Sequence, residues 1–262
     1  MSFITTSENS KQAPVLQVQD LHLALRLRRH QNRTLRSAFV DLIKTPQNII
    51  ASQESLLVLK NIEFTVHPGE RVALLGVNGS GKTTLCRCIA GMLHPTAGQV
   101  RVHGECRAFF DTQAGIIPEL TGRENSHLLT SFLYPHLEAS AKQELIEEAH
   151  AFSELGTFLD APFENYSLGM KARLFLSLVT ARPTDLLILD EVYDNTDQFF
   201  QKKMTARLLN FIHSSRAVLF VSHSQELVKN LCNRAIVLHE NKVAYDGSVD
   251  QAFDVYNFLN HG

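Results

Sequence analysis

The chain has 262 residues, 44% hydrophobic and 20% charged, which is enough apolar material for a sizeable core and too little charge for a disordered segment. Lysine and arginine number 25 against 27 acidic residues, a net charge of −2, so no global basic excess points to nucleic acid. The longest apolar runs, Leu186–Leu189 and Ala217–Val221, fall far short of the ~18–20 residues that span a bilayer, and no apolar signal region follows Met1.

Residues 1–14 are polar and read as a flexible N-terminus, with one domain over 15–262. Leu21, Leu23, Leu25 and Leu27 alternate with polar or small residues, the period of a half-buried strand. An insertion of about 28–54 follows, in which Leu35, Phe39 and Leu42 predict a short amphipathic helix over Thr34–Lys44. Ile62, Phe64 and Val66 alternate again up to the Pro68–Gly69 turn, and Val72–Leu75 is the continuous apolar run of a buried parallel strand. Lys82–Met92 predicts a helix, Pro95–Gly98 a turn, and Gln99–His103 a strand. From Gly122 to Leu155 the pattern is mostly helical. The last third alternates strand and helix: Leu186–Leu189, Gln198–Ile212, Ala217–Val221, Gln225–Leu231 and Ala235–Leu238. That alternation predicts an α/β domain with a mainly parallel sheet. Cys86, Cys88, Cys106 and Cys232 form no CxxC pair, so neither zinc nor a disulfide frame is expected, and a reduced cytoplasmic compartment fits.

The chemistry starts at Gly76-Val77-Asn78-Gly79-Ser80-Gly81-Lys82-Thr83, which fits GxxxxGK[ST] in full between a buried strand and a helix. The glycines let the backbone curl so that successive N–H groups converge on phosphate oxygens, helped by the positive helix end. Lys82 is placed to reach β- and γ-phosphates, and the Thr83 hydroxyl to ligate Mg²⁺. A P-loop also needs a carboxylate at the end of a neighbouring strand, which Leu186-Leu187-Ile188-Leu189-Asp190 supplies, with Glu191 directly after it. Adjacent residues at a strand end face opposite ways, so Asp190 is expected in the Mg²⁺ shell and Glu191 as the base that polarises water.

Tyr166-Ser167-Leu168-Gly169-Met170-Lys171 resembles the signature of ABC-type ATPases, and it lies upstream of the acidic pair as that family requires. His223 stands where the family has its switch histidine, Asp197 where an aspartate follows the catalytic glutamate, and Gln113 best matches the glutamine that senses the γ-phosphate and metal. The resemblance runs from about Val15 to Asn257. Glu119-Leu120-Thr121-Gly122-Arg123-Glu124-Asn125, and Gln198-Phe199-Phe200-Gln201-Lys202-Lys203 after Asp197, resemble one subgroup: the ATPases of O-antigen, capsule and teichoic acid exporters.

The resemblance implies a P-loop NTPase of the ABC type: a RecA-like core, an antiparallel β portion, and a helical subdomain at about 115–175. It implies ATP and Mg²⁺ as cofactors, with ATP held between Gly76–Thr84 (Thr84 included) of one copy and Ser167, Gly169 and Met170 of a second copy placed head to tail. It also implies two copies of a separate multi-span membrane subunit, a peripheral location on the cytoplasmic face of the inner membrane, and export of a lipid-linked glycan or polyol phosphate. Leu168 stands where many relatives have a small residue, and Leu25 and Leu57 where many have an adenine-stacking aromatic. Poor base selectivity is therefore expected. The alternatives are a soluble ABC-type ATPase, or a P-loop kinase with no use for a second subunit's phosphate clamp. A GTPase is disfavoured, because Asn241-Lys242 lacks the aspartate that would read guanine.

Overall fold

The structure, a computed structural model, describes residues 13–26, 55–110, 115–190, 198–222 and 224–261. The expected insertion, with its Thr34–Lys44 helix, therefore lies outside the described residues, as does Leu27.

β1 (Leu16–Arg26) pairs antiparallel with β2 (Ser55–Val66) and, on its other side, with β4 (Ala97–Val102), giving a three-stranded sheet in the order β2-β1-β4. Leu16 and Val18 are buried, and so are Leu21 and Leu23, although the second pair is out of phase with the first. A bulge reconciles them. The register slips between Val18 and Leu21, and Asp20 takes a φ of 46° there. One extra residue in β1 turns the odd positions toward the core that the even ones faced before it.

A second sheet runs β5-β6-β7-β3-β8-β9, with β5 (Cys106–Phe109), β6 (Leu186–Asp190), β7 (Ala217–Val221), β3 (Arg71–Leu75) and β8 (Arg234–His239) parallel. β9 (Lys242–Gly247) closes one edge antiparallel to β8. Every residue of β6 and β7 is buried, because the sheet is covered on both faces. Alternate residues along each strand enter two different cores. Val72, Leu74, Leu186, Ile188 and Leu219 pack with β1, β2 and helix α1 (Lys82–Ile89). Ala73, Leu75, Leu187, Leu189 and Phe220 pack with the helices of the opposite layer.

α1 stops three residues before the expected Met92. Gly91 takes a φ of 74°, and the Gly91 and Met92 amides donate to the Cys88 and Arg87 carbonyls, 3.1 and 2.9 Å, which closes a Schellman cap. The stretch read as mostly helical from Gly122 to Leu155 divides into α2 (Gly122–Leu133) and α3 (Ala139–Ser153). Pro135 bars α-helical geometry at Tyr134, which sits at φ −134°, ψ 58°. Two 3-10 turns, Gly156–Asp160 and Phe163–Asn165, lead into α4 (Leu168–Val179). After β6 come α5 (Gln198–Ser214), α6 (Gln225–Leu231) and the C-terminal α7 (Val249–His261).

All four cysteines are free, and Cys86 and Cys88 are both buried. Burial pushes the thiol of Cys88 up to about 11 and those of Cys106 and Cys232 to about 12. No described helix is long and apolar enough to cross a membrane.

Candidate functional site

The parallel register gathers the site at the C-terminal edge of the second sheet, where ligands of such sheets bind. Ala73, Phe220 and Leu189 share one row across β3, β7 and β6, and Val221 and Asp190 share the next. Beyond β3 the chain turns into Gly76. A Cβ there would stand 2.5 Å from Ser80 Oγ and 2.6 Å from the Leu238 carbonyl, so only glycine lets the loop curl this tightly. At Gly81, the N-cap of α1, φ is 99° and a Cβ would meet Leu59 of β2 at 2.8 Å. The loop's crest, Val77 to Gly79, is exposed, whereas Ser80, Gly81 and Lys82 are buried.

Lys82 is 8% exposed, and its ammonium donates to the Gly76 carbonyl at 2.7 Å and the Val77 carbonyl at 3.1 Å. The lysine thus pins the loop that it would be expected only to arm. Thr83 and Thr84 follow in the first turn of α1, which contains no acidic residue. First-turn amides of a helix have no intrahelical acceptor, so these point a positive end outward with no carboxylate of their own helix to answer it. Ser80 Oγ is buried without a hydrogen-bond partner, a polar group placed beside the cradle and available to a phosphate oxygen.

Asp190 ends β6 at 8% exposure. Its field reaches α1: the Cys86 thiol is pushed well up, first by burial and next by Asp190, against the opposing charge of Lys82. An acid and a lysine therefore flank the same helix start. The aspartate and the Thr83 hydroxyl are both hard oxygen donors, suited to Mg²⁺, which a few protein oxygens hold together with substrate phosphates. Behind the loop, Gly76, Lys82, Ser222 and Gln225 line a small pocket walled by Phe253 and Tyr256 of α7. Sequence reading missed this wall, because α7 bears no motif. Ser222 Oγ accepts from the Ser224 amide at 3.1 Å, and Ser224 caps α6 by accepting from Leu227 N at 3.3 Å.

The signature loop stands apart from the P-loop, on the helical layer. Ser167 is the N-cap of α4, its Oγ accepting from Met170 N at 3.2 Å, and Leu168 beside it is 52% exposed. Gly169 and Met170 are half-buried in the first turn. Tyr166 is buried under them, donating to the Phe158 carbonyl at 2.6 Å, and burial raises its phenol to about 12. The Glu119–Asn125 motif proves to be a brace. Thr121 and Glu124 form a reciprocal capping box on α2. Asn125, fully buried, accepts from Ile117 N at 2.8 Å and donates to the carbonyls of Ile117, Leu120 and Thr121 at 2.9, 3.1 and 3.1 Å.

Leu25, Leu56 and Leu57, on the paired ends of β1 and β2, are 40%, 53% and 39% exposed. Leu25 and Leu56 are paired and share one face of the ladder, whereas Leu57, paired with Ala24, lies on the other. Gln113, Glu191, Asp197 and His223 lie outside the described residues.

A family model described as ABC transporter matches residues 59–194. The chain is 36% identical over 222 residues to the O-antigen export system ATP-binding protein RfbB of Klebsiella pneumoniae, across 84% of this chain and 89% of that one. It is 32% identical over 204 residues to the teichoic acids export ATP-binding protein TagH of Listeria monocytogenes, across 78% of this chain and 60% of that one. Its fold matches that of the ATP-binding cassette MJ0796, solved as a dimer in a post-hydrolysis state bound to ADP and Pi. The TM-score is 0.66 at 19% identity, over 89% of this chain and 98% of that one.

Proposed function

Because this chain belongs to the ABC transporter family, we propose that it is the ATP-hydrolysing subunit of an exporter moving a lipid-linked polysaccharide or teichoic acid-like polymer across the cytoplasmic membrane. The observation that carries this reading is the identity to an O-antigen export ATP-binding protein along nearly the whole of both chains, with a complete phosphate cradle inside the shared region. The chain would sit at the cytoplasmic face of the membrane, held there by a separate membrane-spanning subunit.

In this reading the Gly76–Thr84 backbone and Lys82 bind the phosphates of ATP. Most of the nucleotide's affinity then comes from charge-assisted hydrogen bonds in a largely buried cradle. For Lys82 the step is an exchange, since its ammonium leaves the Gly76 and Val77 carbonyls and takes phosphate oxygens in their place. Thr83 and Asp190 would hold Mg²⁺, with Gln113 as a further ligand; the bound ion supplies neutralising charge to the phosphates. Glu191 takes the role of general base, His223 that of a γ-phosphate contact, and Asp197 that of a further nucleotide-binding residue. Ser167, Gly169 and Met170 present a hydroxyl, amides and the positive end of α4 to ATP held by the other copy. ATP then acts as the adhesive between two copies, and hydrolysis releases them.

Glu191→Gln tests the site. It removes the base and keeps the cradle, so the variant should bind ATP, hydrolyse it very slowly and elute as a dimer only with ATP. Co-purification with a multi-span membrane protein of the same organism, together with stimulated turnover, tests the transport assignment. A chain that never associates with a membrane subunit supports the soluble ATPase instead.

A further inference from the structure

The helix that carries the signature is gripped at its other end. The C-terminal carbonyls of α4 would be orphans in an isolated helix, and they form its negative pole. Here two arginines, Arg107 buried and Arg207 partly buried, stand at that pole. Arg107, in edge strand β5 and 3% exposed, donates at 2.6 Å to the carbonyl of Arg182, in the turn just past α4, and more loosely at 3.5 Å to the carbonyl of Val179, the helix's last residue. Its other terminal nitrogen binds Glu105 at 2.5 Å, its Nε is buried without a partner, and its guanidinium lies 4.3 Å from the ring of Tyr134, whose hydroxyl donates to the Leu178 carbonyl at 2.8 Å. Arg207, on α5 and 14% exposed, donates to Thr180 Oγ1 at 2.7 Å and the Ser177 carbonyl at 3.0 Å. It also forks onto Glu148 of α3 at 2.5 and 2.8 Å and stacks 4.1 Å from Phe152.

We propose that Arg107 and Arg207 form a socket for the C-terminal end of α4 and thereby aim its N-terminal signature, making both arginines positioning residues for ATP hydrolysis. Their places in the chain suit that task. β5 runs into the segment that holds Gln113, and α5 follows the segment that holds Glu191 and Asp197. The elements that carry the two arginines are thus each joined in sequence to a segment assigned to the nucleotide of the same copy, while the helix they hold is assigned to the nucleotide of the other. The lever is long: 12 residues at ~1.5 Å each put Ser167 about 18 Å from the socket. A tilt of ~5° at that distance moves the signature by roughly 1.5 Å, and a misplacement of ~1 Å costs about a hundredfold in rate at a preorganised site. The forked guanidinium matters because one planar group engages two elements at once, which a lysine's single ammonium does not do.

This inference rests on the reading that α4 completes a site on a second copy, and the experiment separates the two. Wild type, Arg107→Lys, Arg207→Lys and an inactive Lys82→Ala control are compared as full chains for binding of a fluorescent ATP analogue, for kcat and KM, and for thermal stability. The socket predicts nucleotide affinity within about twofold of wild type and kcat lowered by tenfold or more, with Arg207→Lys, the less buried of the two, serving if Arg107→Lys fails to fold. A variant with lowered melting temperature and unchanged kcat overturns the proposal, since the arginines would then only stabilise. Parallel losses of affinity and kcat also overturn it, because they place the damage at the P-loop. A wild-type rate strictly linear in chain concentration over a range where size exclusion in ATP shows monomer refutes the composite site itself. A wild-type rate rising more steeply, alongside a normal Arg207→Lys, refutes the socket alone.

Discussion

Asn125→Asp is nearly isosteric, so it alters the hydrogen-bonding pattern at a fully buried point without changing the packing. The wild-type amide accepts once, from Ile117 N, and donates to three carbonyls. An ionised aspartate keeps the accepting role and turns its second oxygen toward those carbonyls, with no water to shield it. None of the carbonyls is stranded: Ile117 O still receives Leu120 N, Leu120 O receives Phe163 N, and Thr121 O receives Asn125 N. The penalty is therefore that of the buried charge, which the folded chain avoids by taking up a proton and donating it to one carbonyl. The folded-state pKa of the new acid is raised above its unfolded value near 3.9. Stability is then fully present below that unfolded value and falls as pH rises, by about 1.4 kcal/mol per pH unit until the folded pKa is reached. Between pH 5.5 and 7.5 the penalty relative to wild type should grow by roughly 2.7 kcal/mol at that slope, measured by urea unfolding of both proteins. A penalty that stays flat across this range would show that the carboxylate is charged throughout, and that the brace behind the signature is open to water.

Lys82→Ala should abolish hydrolysis. It should also cost about 1–3 kcal/mol of stability without nucleotide, as the charge-assisted bonds to Gly76 and Val77 are lost, and normal ATPase activity would sink the P-loop assignment. ATP and GTP should give KM values within about tenfold of one another, since Leu25 and Leu57, at the positions expected of a stacking aromatic, can offer only aliphatic contact and stacking worth ~1–3 kcal/mol is missing. Steady-state kinetics with both nucleotides checks this. His150, hydrogen-bonded to Ser126 at 2.8 Å, is held down to about 4, first by burial and then by Arg123 and His127. A depressed histidine stabilises the fold fully above its unfolded pKa near 6.5 and loses that contribution as pH falls toward 4. After discounting for its partial exposure, wild type should lose about 1 kcal/mol more than His150→Gln between pH 7 and 5.

The strand–loop–helix of the phosphate cradle was legible because each of its parts is enforced locally, by a buried apolar run, glycines with no room for a Cβ, and a helix start. The parallel sheet was legible for the same reason at β6 and β7, whose residues are all apolar up to Asp190. Other elements carry weaker signatures. β5 reads Cys-Arg-Ala-Phe, and an arginine in a four-residue run gives no hint that it is 3% exposed. β9 alternates at half-burial on an edge and contains Asp246 and Gly247, so it mimics a loop. The bulge at Asp20 reverses a strand's phase partway along, and no count of alternation foresees where that happens. The double duty of Lys82 was hidden because the carbonyls it holds belong to the backbone, which is the same in every sequence.

The four cysteines bear on how this protein can be handled at the bench. A thiol at about 11 carries roughly a hundredth of the thiolate of an ordinary one, and thiols near 12 carry less still. Cys86, fully buried and close to Asp190, is likewise held well above the ordinary thiol range. The native thiols should therefore react slowly with maleimides and oxidants while the chain stays folded, which a thiol titration with and without denaturant checks. A single cysteine introduced on the exposed crest of the P-loop or beside Leu168 would react far ahead of them. Probes can therefore be attached to either half of the proposed sandwich in the otherwise native sequence, and a burst of background labelling reports unfolding.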